Sequence, residues 1–265
     1  MVIVYRGNTT PSRRETGAAG KGQADWMSNI VPLDTVAHRD LRVDGTASRQ
    51  LGDGVKLVSV VLREFALLAL DYPILFGKQS DTGAFFCAAM LGFDEEENLF
   101  LRPGGGMDGY RPLNMERIPF FATETGLAID LDSPRVGGPG GERLFDDAGE
   151  PAPYLQRIIS IFRELRPGME ETRAFIRTML DLKLVEPVDI SVSFDDGVRR
   201  SVEGAYTINR DALADLDDAQ VVDLFRRGYL HAASLMIGSL NQVTSLARRR
   251  NDRLTAPIPV GAFQG

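Results

Sequence analysis

Cysteine, histidine and tryptophan are scarce in this sequence: one Cys, two His and one Trp stand among 265 residues. With Cys87 alone, no intramolecular disulfide can form, so a reducing compartment is the simpler setting. A reactive thiolate needs an electropositive or histidine-bearing neighbourhood. Cys87 sits instead among Phe85, Phe86, Ala88 and Ala89, so a buried core thiol is expected. No apolar run approaches the roughly 18 residues of a membrane-spanning helix. Residues 1–7 are too short and too interrupted for a secretory apolar region. The expected location is cytoplasmic by default, with export by a non-Sec route left open.

Positive charge is also in short supply. Lys and Arg total 30 against 37 Asp and Glu, a net charge of −7. That balance argues against broad binding to nucleic acid or acidic membranes. The densest basic stretch, Arg248-Arg249-Arg250 with Arg253, closes the last predicted helix without interleaved aromatics. Cations there complement a helix dipole, so no nucleic-acid partner is expected. Composition is otherwise ordinary for a globular chain, 43 % apolar and 25 % charged. A chain of this length buries enough surface to need no structural metal.

Residues 7–25 hold almost nothing to bury, and residues 1–26 read as a disordered tail. Met27, just ahead of the first fold pattern at residues 30–33, is a candidate biological start. Residues 27–251 read as one domain and 252–265 as a second tail. Within the domain, residues 55–61 form a β-branched run that passes into helical spacing over 62–70, closed by Pro73. Further strands are expected at 72–76, 85–93, 98–101, 119–122 and 127–132. Two helices, 154–165 and 169–184, are expected to break at Pro167-Gly168 and pack antiparallel. Residues 188–206 alternate about Asp196-Gly197 as a β-hairpin. The helical stretch 211–227 is interrupted near Leu216-Asp217, and one longer helix spans 228–251. Strands run first and helices gather in the C-terminal half, which predicts an α+β fold with a largely antiparallel sheet.

Several motifs are missing. Three glycine clusters, at 104–106, 137–138 and 140–141, lack the Gly-Lys-Ser/Thr of a phosphate loop, and no dinucleotide fingerprint occurs. His38-Arg39-Asp40 has the spacing of a facial iron triad that His231 would complete, although His231 lies in an apolar helix pattern that suits a core or interface histidine. Asp130, Asp132, Glu142, Asp146, Asp147 and Glu150 lack the order of a calcium loop, and a solvated acidic loop is expected. No metal, cofactor or catalytic residue is assigned.

The segments Arg63-Glu64-Phe65, Tyr72-Pro73-Ile74-Leu75-Phe76, Glu97-Asn98-Leu99-Phe100, Gly109-Tyr110-Arg111-Pro112, Arg117-Ile118-Pro119-Phe120 and Gly141-Glu142-Arg143-Leu144-Phe145 occur in this order. Together they resemble the SapC family of bacterial proteins, over residues 30–251. Met107 departs from the pattern, where an aromatic residue is expected in the turn before Tyr110. The resemblance implies a link to a bacterial surface layer or to outer-membrane nutrient uptake, and it carries over no catalytic residue. A non-catalytic accessory or binding protein is therefore expected, with a homo-oligomer or a protein of such a system as partner and a small ligand or peptide in a pocket. Candidate binding residues are His38, Glu64, Tyr72, Asn98, Tyr110 and Arg117, whose polar groups, if buried, need partners. The alternative is a small-molecule or amino-acid-modifying enzyme, using a metal at His38, Asp40 and His231 or carboxylates near Glu64.

Overall fold

The computed structural model describes residues 2–6 and 29–255. In chain order the strands are β1 (Val2–Arg6), β2 (Ile30–Pro32), β3 (Arg42–Val43), β4 (Leu57–Ser59), β5 (Ile74–Lys78), β6 (Phe85–Met90) and β7 (Phe120–Ala122). They continue with β8 (Leu127–Asp130), β9 (Glu142–Arg143), β10 (Val185–Pro187), β11 (Asp189–Ser193), β12 (Arg199–Val202) and β13 (Tyr206–Ile208). The helices are α1 (Phe65–Leu68), α2 (Leu113–Glu116), α3 (Pro153–Asp181), α4 (Arg210–Ala214), α5 (Asp218–Arg226), α6 (Tyr229–Ser239) and α7 (Gln242–Thr255). The fold is α+β, with antiparallel strand pairs and the long helices in the C-terminal half.

A five-stranded sheet in the order β10-β13-β5-β6-β4 carries the larger core. Helices α3 and α6 pack on it. Phe175 of α3 sits at their junction, its ring centroid 6.1 Å from Phe65, 6.0 Å from Phe76 and 5.4 Å from Tyr229. Cys87 lies in this core, and burial raises its thiol pKa. A second apolar cluster gathers Val43, Phe120, Ile129, Leu144, Tyr154 and Ile158 around the sheet β2-β8-β7 and the ribbon β3-β9. The hairpin β11-β12 pairs Ile190 with Val202 across the expected turn.

The two helices expected at 154–165 and 169–184 are one helix of 29 residues, uninterrupted at Pro167. Proline removes one helical hydrogen bond, and tertiary packing overrides that loss. A Cβ on Gly168 would stand 3.0 Å from Val61 Cγ2, so its bare backbone lets the helix press on the 3-10 turn Leu62–Glu64. Thr172 Oγ1 accepts from the Leu62 N–H at 2.8 Å and donates to the Gly168 carbonyl at 2.6 Å. At 1.5 Å per residue, α3 is about 43 Å long. It can therefore bury Tyr154 to Leu165 in the smaller cluster and Phe175 to Met179 in the larger.

Other expectations shift. Residues 98–101 form no strand, because Asn98 redirects the backbone: its Oδ1 accepts from the Phe100 N–H at 3.0 Å and its Nδ2 donates to the Asp53 carbonyl. The single C-terminal helix divides into α6 and α7 at Leu240-Asn241. There, Ser239 Oγ accepts from the Ile74 N–H of β5, so the break lets the chain tie back to the sheet. Helix α7 runs to Thr255, past the expected boundary at residue 251. Val2–Arg6, expected within a tail, pairs antiparallel with β11, completing a three-stranded sheet. The rest of the expected tail, Met27 and residues 256–265 lie outside the described residues. Among those described, no helix is long and apolar enough to cross a membrane.

Candidate functional site

The sequence candidates fall mainly into scaffold roles. Glu64 is buried in the turn before α1. One oxygen accepts from the Val61 N–H at 2.9 Å, the other from the Leu113 N–H at 2.8 Å, and the Tyr110 side chain interacts with the same carboxylate. Burial raises the Glu64 pKa more than these bonds lower it. The Tyr72 hydroxyl reaches the Tyr110 carbonyl at 2.7 Å and lies 3.1 Å from that of Asp108, with its ring against Phe100. Glu64 and Tyr72 therefore grip the segment 110–113 from two sides. Arg117 donates to Asn114 Oδ1 and the Phe120 carbonyl, with its guanidinium over the Phe121 ring. His38 Nδ1 accepts from the Asp34 N–H in a local turn.

The iron-triad alternative is overturned. His231 is exposed on α6 rather than packed in a core. Among the described residues, no three His, Cys, Asp or Glu side chains come close enough to hold a metal. The acidic stretch is not uniformly solvated either: Asp130 is buried and its Oδ1 accepts from the Asp132 N–H. Three of the four arginines of the basic stretch are bound internally, and Arg248 is exposed. Arg249 pairs with Asp108, Arg250 with Asp94 and Glu97, and Arg253 donates to the Asn98 and Leu101 carbonyls. Arg249 and Arg250 also lie 4.4 Å from the Phe100 and Phe194 ring centroids. These contacts dock α7 on the loop 94–108.

A different set of residues forms the most developed site. Arg111 projects from the segment that Glu64 and Tyr72 hold. Arg135 enters from the loop between β8 and β9, and Asp53 follows the 3-10 turn Arg49–Leu51. The Arg135 Nη2 to Asp53 Oδ2 distance is 2.5 Å, and the Arg111 Nη2 to Asp53 Oδ1 distance is 3.7 Å. Two guanidinium groups thus share one carboxylate. Between them they strap down residues 44–46: Arg135 Nη1 donates to the Asp44 and Thr46 carbonyls, and Arg111 Nη1 to that of Gly45.

This clamp leaves donors over. Arg111 Nε and Nη2, Arg135 Nε and the Tyr154 hydroxyl are buried without a hydrogen-bond partner. An unmatched buried polar group typically costs about 1–3 kcal/mol, and more when charged. Burial lowers the Arg111 pKa and pushes that of Tyr154 up to about 12. Tyr154 reaches this position because Gly45 has no side chain; a Cβ there would stand 2.8 Å from Tyr154 Cε2.

Arg111, Tyr154 and Gly45 line a cleft of about 490 Å³, with Glu142 and Arg157 exposed at its edge and the Glu116 side chain, paired with Arg157, mostly buried in its wall. That volume suits a small ligand. A second hollow of about 240 Å³ lies between Leu57 on β4 and Ser201 on β12. None of its lining residues holds an unpartnered buried donor. None of the six candidates named from the sequence lines either space.

Arg111 lay inside one of the motifs read from the sequence. Arg135 and Asp53 carried no local signal, because charged residues in polar loops ordinarily face water. No curated protein and no solved structure matches this chain. The SapC family model matches residues 33–246, a span that contains Asp53, Arg111, Arg135 and Tyr154, and the chain belongs to the SapC family.

Proposed function

We propose that this SapC-family chain is a non-catalytic, ligand-binding accessory protein and that the Arg111–Tyr154 cleft is its binding site. The observation that carries this reading is the set of unpartnered donors behind the cleft. A clamp whose only task was to hold residues 44–46 would be better served by fully matched groups. In this reading Glu64, Tyr72 and Tyr110 act as positioning residues, since they fix the backbone from which Arg111 projects. Asn98, Arg117 and His38 serve the surrounding scaffold. The proposed association with a surface-layer or nutrient-uptake system draws support from family membership alone.

The test incubates the full purified chain with a bacterial small-molecule extract and reads native mass spectra and thermal unfolding. A bound adduct and a raised Tm, both lost in Arg111→Gln, are expected. Turnover of the adduct, or no adduct and no stabilisation, would overturn the reading. For the association, cross-linking in cells is expected to join the chain to a surface or uptake component; recovery of this chain alone would remove that part.

A further inference from the structure

We infer that the cleft takes a zwitterion, a small carboxylate joined to an ammonium group as in a free amino acid or short peptide, with the carboxylate inward. This inference rests on the binding role proposed for the same cleft. Three features set the sign of its inner end. Within ion-pair distance, Arg111 and Arg135 share a single carboxylate, Asp53, while Glu116 and Asp44 act on them from farther off. The Tyr154 side chain, 9 % exposed, holds an unpartnered hydroxyl beside them. Helix α3, whose Pro153 and Tyr154 line the cleft, begins with no side-chain cap and no acidic residue in its first turn. No residue of its own first turn therefore matches the positive end of its dipole. Arg111 offers Nε and Nη2, neither with a hydrogen-bond partner although Nη2 lies 3.7 Å from Asp53 Oδ1, and this adjacent pair suits two-point bonding to a carboxylate.

The outer end has the opposite sign. Glu142 is exposed on β9, and Glu116 pairs with Arg157. Two arginines, Arg111 and Arg157, line the cleft against three carboxylates, Asp44, Glu116 and Glu142. A doubly charged phosphate ester would meet that acidic mouth unfavourably, whereas a single carboxylate with a cation behind it matches both ends. In the present conformation the unpartnered donors are closed to solvent, so a ligand reaches them only when a lining side chain moves. Gly140, which lines the cleft, has open space around it.

¹H–¹⁵N spectra of the labelled full chain test this, read at the Gly45, Tyr154 and Leu155 amides and at Arg111 Nε–H. The probes are pooled L-amino acids, trialanine, trialanine amide, N-acetyltrialanine and inorganic phosphate, each at millimolar concentration. Saturable shifts are expected with the amino acids or trialanine. Binding should weaken by about tenfold when the carboxylate becomes an amide, and also on acetylation. Arg111→Gln should weaken binding about tenfold and Tyr154→Phe about threefold, with spectra elsewhere unchanged to show an intact fold. An amide that binds as well as the acid, or phosphate that binds as tightly as trialanine, overturns the inference. If the extract yields a ligand for the cleft but none of these probes shifts it, the zwitterion is wrong and the binding role stands. If neither binds, both fall.

Discussion

Arg135 Nη2 lies 2.5 Å from Asp53 Oδ2, and both side chains are almost wholly sealed from water. The contact connects the loop after β8 to the turn before β4 across 82 residues of chain. Asp53 Oδ2 also accepts from the Ser48 N–H at 2.8 Å. Removing one member of a buried pair strands the other charge, so Asp53→Asn is expected to destabilise the fold by about 3–5 kcal/mol. Urea unfolding measures this, and a change under about 1 kcal/mol would mean that the pair is hydrated in solution.

Tyr154→Phe is expected to behave differently although the residue is also buried. Its hydroxyl has no partner, so its removal should leave stability unchanged or raise it by up to about 1–2 kcal/mol. A clear loss of stability in thermal unfolding would show that the hydroxyl is bonded in solution.

Glu64 gives a pH signature. Burial holds its folded pKa above the ordinary value of 4.5. Between that value and the raised one, the native chain keeps a proton that the unfolded chain has released, so this group's contribution to stability falls as pH rises. Glu64→Gln does not titrate, and it presents an amide NH₂ to one of the two N–H groups that the carboxylate accepts. Near pH 4 the native carboxyl keeps its proton and likewise holds a hydrogen toward one of these N–H groups, so the variant should match the parent to within about 1 kcal/mol; toward pH 7 the parent should lose stability relative to it. Denaturant titrations at several pH values check this; a parent that gains on the variant as pH rises would reverse the sign.

Pro167→Ala should stabilise the chain by about 1–3 kcal/mol, because the helix already runs through this position and regains a hydrogen bond. If the helix were broken here in solution, equilibrium unfolding would register no gain.

Much of the fold was legible in the sequence because it depends on neighbours. The Asp196-Gly197 hairpin follows from period-two alternation about a turn dipeptide. The break before α5 follows from Asp217, whose side chain caps the Gln220 N–H. Pro167 shows where such reading ends. Local propensity predicts a break there, and contacts with Val61 and Leu62, more than a hundred residues earlier, keep the helix whole.

The candidate site divides in the same way. The sequence by itself determined the α+β class, the SapC resemblance and the motif that contains Arg111, because these reside in local pattern and order. It also singled out Glu64, Tyr72 and Tyr110 as polar groups in apolar surroundings. Only the tertiary structure decided that these three hold a backbone segment while Arg111 beside them faces a cleft. It alone brought Arg135, Asp53 and Tyr154 together, since each comes from a separate part of the chain and carries no local sign of burial. Charge balance at a buried site depends on which groups meet, and that meeting is fixed by packing over long sequence separations.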